Sequence, residues 1–258
     1  MTQALLNIGC GTTFHADWVN LDATPASPEV RAHDLADPLP FADGHFQGVY
    51  ASHVLEHFPP DEGLRLLREC LRVLRPGGVV RIVVPDLEAI ARAYLEALDA
   101  AEKGEPAGES RYDWMTLELY DQTVRTASGG RMGAYLAGPL DDSQRRFVTA
   151  RIGDDAIAGA TAAGGARLPR RWRLASLLLG AKRAATLREA AFRRTGELHQ
   201  WMYDRFSLPR ALSKAGFREA RRRAADESAI ADFARYGLET IAGRPRKPDS
   251  LYVEARRP

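Results

Sequence analysis

An apolar run, Leu5-Leu6-Asn7-Ile8, stops at Gly9-Cys10-Gly11, and a second run, Trp18-Val19-Asn20-Leu21, stops at Asp22. Runs of this kind read as buried strands of a parallel sheet. Glycines after the first strand let backbone N–H groups approach a ligand closely. An acid closing the next strand is placed to hold two ribose hydroxyls. The pair therefore outlines a nucleoside-binding α/β site. Only Cys10 to Asp17 separate the runs, whereas a parallel crossover takes about a dozen residues or more. The first crossover helix is expected to be a remnant turn.

The rest of the chain extends this frame. Glu29–His33 reads as a third strand and Gln47–Ser52 as a fourth. Asp61–Leu74 reads as an amphipathic helix with Leu64, Leu67, Leu71 and Leu74 on one stripe, stopped by Arg75-Pro76-Gly77-Gly78. Val79–Val84 is a β-branched fifth strand. After Pro85 the pattern turns helical. Asp86 is a natural N-cap, and segments 112–126, 141–158 and 171–194 are helix candidates separated by Gly129-Gly130 and Gly164-Gly165. A helix over Ser207–Gly216, a strand over 217–224 and a last strand over 250–255 complete the chain.

The expected fold is α/β, a Rossmann-like, mostly parallel sheet with reduced first crossover helices. A helical insertion follows strand 5, and an antiparallel strand pair ends the chain. Residues 1–98 and 200–258 form the cofactor-binding domain in this reading, and 99–199 form the helical insertion or cap.

Composition narrows the partners. The 258 residues carry a formal charge of +2, which by itself predicts no polyanion partner, so no nucleic acid is expected. Two cysteines, Cys10 and Cys70, are too few for a disulfide scaffold. Neither a signal peptide nor an apolar run of about 20 residues is visible, and a cytoplasmic location is the expectation.

A dinucleotide fingerprint needs a third glycine three residues after the second, and Phe14 stands there. Other signals follow in order: Asp34-Leu35, then Leu39-Pro40-Phe41-Ala42-Asp43-Gly44-His45-Phe46, then Ser52-His53-Val54-Leu55-Glu56-His57, then Leu74-Arg75-Pro76-Gly77-Gly78. With these, residues 5–88 resemble the class I S-adenosylmethionine-dependent methyltransferases, type 11 branch. The resemblance implies S-adenosylmethionine as cofactor. It implies that Gly9, Cys10 and Gly11 line the methionine part and that Asp22 accepts the ribose hydroxyls. Asp34 would accept the adenine amino group, with Leu35 donating its N–H, and Ser52 and His53 would flank the methionine end. Two departures stand out: Asn7 replaces the usual opening acid and Thr13 the usual third glycine. Asn7 offers a hydrogen bond to the cofactor without a formal charge.

The segment His199-Gln200-Trp201-Met202-Tyr203-Asp204, with Ser207-Leu208 and Ala215-Gly216-Phe217, is similar to a subgroup associated with bacterial glycan clusters. That resemblance implies O-methylation of a sugar or glycan, including a lipid-linked one. A small aromatic or acyl metabolite is an alternative acceptor, and a non-catalytic nucleoside-binding or membrane-associated partner protein is an alternative of another class. His199 is the first candidate for the base that deprotonates an alcohol acceptor and His57 the second. Asp86, at the end of strand 5, and Tyr203 are the other candidate catalytic residues. His53-x-x-Glu56-His57 does not have the zincin order, and no metal is expected. Arg167–Arg194 holds nine basic residues against Glu189, which suits a solvated helix or peripheral contact with an anionic membrane face.

Overall fold

The computed structural model describes residues 4–154, 157, 177–193 and 195–258. The chain divides into two units, Met1–Glu88 with Trp201–Pro258, and Ala89–Gln200.

The first unit is built on a seven-stranded sheet. Its strands are β1 (Leu5–Ile8), β2 (Val19–Asp22), β3 (Val30–Ala32), β4 (Phe46–Ser52), β5 (Leu74–Pro85), β6 (Arg218–Arg223) and β9 (Ser250–Arg256). The order is β3-β2-β1-β4-β5-β9-β6. The first five strands pair in parallel, and β9 runs antiparallel to both β5 and β6. This is the Rossmann-like, mostly parallel sheet expected from sequence. No helix lies between β1 and β2 or between β2 and β3; the Cys10 N–H donates to the Leu21 carbonyl at 3.1 Å and closes the first link as a turn.

Helix α1 (Pro60–Val73) connects β4 to β5. Proline at its first position needs no donor there. Its buried side is Gly63, Leu66, Leu67, Cys70 and Val73, while Leu64 and Leu71 are only partly buried. The stripe is thus rotated from the one read in the sequence. Two leucine rows run along this helix, and the row facing the sheet is the one that includes small Gly63 and Cys70. Helix α7 (Ser207–Ala215) packs on the same core, burying Leu208, Leu212 and Ala215. Burying each such leucine contributes about 1.5–3 kcal/mol.

The opposite face of the sheet lacks the missing crossover helices, and the chain covers it in another way. Leu5, Trp18, Tyr50, Val79, Val83 and Tyr252 pack against Ala225, Ile230, Phe233, Tyr236 and Leu238. This covering segment contains one short helical turn, Phe233–Tyr236, and a two-stranded ribbon, β7 (Thr240–Ile241) with β8 (Arg244–Pro245). It shows no helical or strand period in sequence, and none was expected there.

Arg81 of β5 fastens the segment. The side chain is fully buried, and all five of its N–H donors are used. Nη1 donates to the Glu227 carbonyl at 2.8 Å and to Glu254 at 3.1 Å, and Nη2 to the Ala224 and Ala225 carbonyls at 3.0 and 3.3 Å. Nε reaches Glu239 at 3.5 Å. The guanidinium also lies over the Phe233 and Tyr252 rings at 4.9 and 5.3 Å.

The second unit is helical: most of α2 (Leu87–Glu102), then α3 (Gly108–Val124), α4 (Gly130–Ala137), α5 (Asp142–Ile152) and α6 (Ala181–Phe192). Helix α5 opens with a capping box between Asp141 and Gln144. Buried Glu118 accepts from the Trp114 indole at 2.8 Å and pairs with Arg151. Among the described residues no helix is long and apolar enough to cross a membrane.

Candidate functional site

In a parallel sheet, ligands settle outside the carboxyl ends of the strands. In the first unit these ends carry Gly9, Asp22, His53 and Asp86, which directly follow or close β1, β2, β4 and β5. Gly9 and Gly11 have φ of 62° and 52°, in the region glycine enters without strain. A Cβ on Gly9 would lie 2.4 Å from Val54 Cγ2, so the turn admits nothing larger there. A Cβ on Gly11 would meet nothing within 4 Å, so that side of the turn is open.

Asp22 ties the turn to β2. Its Oδ2 accepts from the Gly11 N–H at 2.8 Å and its Oδ1 from the Thr24 N–H at 2.8 Å. A carboxylate has about four lone-pair sites, so each oxygen keeps capacity for a ribose hydroxyl. Asn7, fully buried, donates through Nδ2 to the Thr13 carbonyl at 3.2 Å and to Asn20 Oδ1 at 3.3 Å. Asn7 therefore braces the glycine turn from beneath. Burial and the Asp22 charge push the Cys10 thiol up to about 11, which leaves it an inert packing group at neutral pH.

Asp34 begins a turn after β3: its Oδ1 accepts from the Ala36 N–H at 3.0 Å and its carbonyl from the Asp37 N–H at 3.0 Å. Leu35 follows Asp34 in this turn and is partly buried against the sheet core. Leu35 borders a groove of about 360 Å³ shared with Pro38, Arg65 and Leu66. A carboxylate beside a backbone N–H at a groove edge suits the edge of an adenine ring. The donor set thus fits a nucleoside cofactor: Asp22 for the ribose, Asp34 and Leu35 for the base, and the Gly9–Gly11 turn for the tail.

Ser52 closes β4, and His53 follows with φ of 55°, uncommon outside glycine. Its ring bridges two elements. Nε2 lies 2.8 Å from Ser250 Oγ, on the first residue of β9, and Nδ1 lies 3.4 Å from Glu56 Oε1. Glu56 sits in the short helical turn Leu55–His57 and is fully buried. Burial, with the Asp249 charge adding and Lys247 opposing, raises its carboxyl to about 8. Lys247 is half-buried, and desolvation lowers its ammonium pKa. The cluster was missed in the sequence because Ser250, which meets His53, and Lys247 and Asp249, which act on Glu56, lie almost two hundred residues on, next to the strand that pairs with β5.

His57 lies half-buried at the end of that turn, its N–H donating to the Val54 carbonyl at 3.1 Å. Asp86 is buried and caps α2, its Oδ1 accepting from the Glu88 N–H at 3.1 Å. Tyr203 is buried in the core under α1, its backbone carbonyl accepting from the Leu87 N–H at 2.9 Å. Burial and the Glu56 charge push its hydroxyl up to about 12. His199 belongs to the second unit, where it is buried and its N–H donates to the Gln122 carbonyl at 2.9 Å. Of the basic segment 167–194, residues 167–176 and Arg194 lie outside the described residues. In the described part Leu177 and Leu178 are 82% and 76% exposed.

Residues 6–82 match the family model described as a methyltransferase domain. Three solved structures show distant likeness. A SAM-dependent methyltransferase from Archaeoglobus fulgidus is 12% identical over 98% of this chain and 86% of its own, with a TM-score of 0.42. An S-adenosylmethionine-dependent methyltransferase from Mesorhizobium loti is 16% identical over 99% and 91%, with a TM-score of 0.39. The cyclase SpnF is 24% identical over 32% of this chain, the alignment spanning 38% of the cyclase, with a TM-score of 0.27. The glycine turn and Asp22 both fall inside the matched methyltransferase domain, and S-adenosylmethionine is the cofactor that domain implies.

Proposed function

We propose that this chain transfers a methyl group from S-adenosylmethionine to a hydroxyl of a sugar or glycan acceptor. The observation that carries the cofactor half is Asp22, which closes β2, anchors the Gly11 N–H at 2.8 Å and keeps lone pairs for the ribose. The acceptor half rests on the similarity of the His199–Asp204 segment to a subgroup found with glycan clusters.

When bound, the cofactor supplies an electrophilic methyl group on a positively charged sulfur. The chain's own residues have to hold and align the reactants, and such orientation is worth about 7–11 kcal/mol in favourable cases. Asp22, Asp34 and the glycine turn fix the nucleoside end. Ser52 and His53 lie at the end of β4, where the methionine part is expected. An alcohol acceptor must also lose its proton, and a positioned base contributes about 10²–10⁴-fold.

Calorimetry with S-adenosylmethionine, followed by transfer of a labelled methyl group to panels of sugars, phenols and acyl acids, tests the proposal. Binding with transfer to sugars supports it. Transfer confined to phenols or acids moves the acceptor to the small-metabolite class, and no binding at millimolar cofactor overturns the enzyme reading. His199→Ala that binds cofactor but loses turnover places the proton-accepting base at His199. Retained turnover places the base elsewhere, His57 included. The basic segment is proposed to touch an anionic membrane face, which flotation with acidic against neutral liposomes tests.

A further inference from the structure

We propose that the edge strand β6 is a docking surface for an acidic, extended segment of a partner protein, which adds to the sheet as a further strand. The surface does not depend on the methyltransferase reading.

Charge is the first observation. From Arg205 to Arg223 the sequence holds seven basic residues and one acid, Glu219, although the whole chain carries only +2. Arg218, Arg221 and Arg222 of β6 are exposed, and so are Arg210 and Lys214 of α7, which packs beside β6. Arg210 and Lys214 stand four apart and share one face of that helix. Among the described residues neither Arg218 nor Arg221 pairs with a carboxylate, whereas Arg223 is held by Glu227 and Glu254.

Position is the second. Strand β6 ends the sheet order and pairs with β9 alone. Among the described residues, Arg218–Arg223 make no backbone hydrogen bond outside that ladder. Alternate backbone N–H and C=O groups therefore face outward, a template for another strand.

The two faces of the sheet decide the occupant. Residues directly opposite in a ladder share a face. Arg222 stands opposite Val253, which packs in the core with α1 and α7. Arg221 stands opposite Glu254, which meets Arg81 and Ser228 on the other face. Positive charge thus flanks the edge on both sides. An added strand sends successive side chains to the two faces in turn, so a run of acids meets arginine on both. A lipid surface offers its charge from one side only. A second copy would set the four arginines of β6 against four more. The bulge at Glu219, with φ of 54° and a register shift between Arg218 and Arg221, guards further against such self-pairing. Arg221–Arg223 is the regular stretch left for a partner of opposite charge.

Peptide binding to the full chain tests the surface. The probe is an end-blocked nonapeptide with three central glutamates flanked by threonine and valine. Its controls are the same peptide N-methylated at alternate residues, the same peptide with lysine for glutamate, and phosphatidylglycerol vesicles. Calorimetry should show binding of the acidic peptide that weakens with salt, and amide exchange should slow over Arg221–Arg223. N-methylation keeps the charge but blocks the ladder, and should weaken binding at least about tenfold. Arg221→Glu should weaken the acidic peptide roughly fivefold or more and admit the lysine peptide. Arg222 is left unchanged because it also lies 3.8 Å from Asp86, a candidate catalytic residue. Equal binding of the N-methylated peptide shows charge without strand addition and overturns the proposal. So does binding unaffected by Arg221→Glu in a folded variant, or no peptide binding at millimolar concentration. Vesicles that bind where the peptide does not turn the surface into a membrane contact and overturn it as well.

Discussion

At the scale of single residues, the glycine turn and Asp22 make separable predictions. Asp22→Ala removes a carboxylate that accepts two backbone N–H groups at 2.8 Å. Hydrogen bonds to charged groups contribute about 1.5–3 kcal/mol each, so loss of the ribose contacts should weaken S-adenosylmethionine binding by roughly ten- to a hundredfold in calorimetry. Gly9→Ala drives a methyl group into Val54, whereas Gly11→Ala meets open space. Both strain the backbone, but only the first overpacks it, at about 1–3 kcal/mol. Gly9→Ala should therefore lower the unfolding midpoint more than Gly11→Ala, and Val54→Ala should recover part of the loss in the Gly9→Ala background. An equal loss in the two glycine variants would contradict this packing argument. Gly9, Gly11 and Asp22 were legible in sequence because their meaning is local: a turn and an acid, eleven residues apart, at the ends of adjacent strands. Glu56 was not. Its sequence neighbours suggest only a helical corner, and the charges that act on its carboxyl, Lys247 and Asp249, stand almost two hundred positions away.

At the scale of elements, the strands were legible because a parallel sheet buried on both faces leaves near-continuous apolar runs. The covering of the second face was not, because residues 224–239 reach it without periodic structure. The one sequence sign was Arg81, a charge inside the β-branched run Val79–Val84. A lone arginine there reads as an edge or an error in the strand, yet the structure makes it the bolt for the whole segment. Burying Arg81 is tolerable because Glu254 and Glu239 face it and three carbonyls take its remaining protons. Removing one side of such a buried pairing costs about 3–5 kcal/mol, since the other charges stay buried and uncompensated. Arg81→Met should lower stability by that amount in denaturant titrations. Adding Glu254→Gln and Glu239→Gln should recover part of it, and a triple variant no better than Arg81→Met would show that the carbonyl contacts, not the charges, dominate.

At the scale of the whole molecule, the buried cluster beside the candidate site links folding to pH. Glu56 has its carboxyl raised from 4.5 to about 8, chiefly by burial. Below pH 4.5 the folded and unfolded chains both hold that proton. Between 4.5 and 8 the unfolded chain has released it and the folded chain has not, so folding takes up a proton and stability falls as pH rises. Above about 8 both states are ionised and the loss is complete. Lys247 acts with the opposite sign at higher pH: its ammonium pKa is lowered from 10.5, so between the folded value and 10.5 the unfolded chain holds the extra proton and stability rises with pH. Glu56→Gln removes the first contribution while keeping the side-chain volume. The variant's melting temperature should match the wild type near pH 5, then exceed it by a margin that widens toward pH 8. A constant offset across that window would mean that Glu56 is ionised throughout in the folded chain, its charge already balanced by Lys247. Thermal unfolding of the two proteins at half-unit intervals from pH 5 to 8 measures that margin and decides between the widening gap and the constant offset.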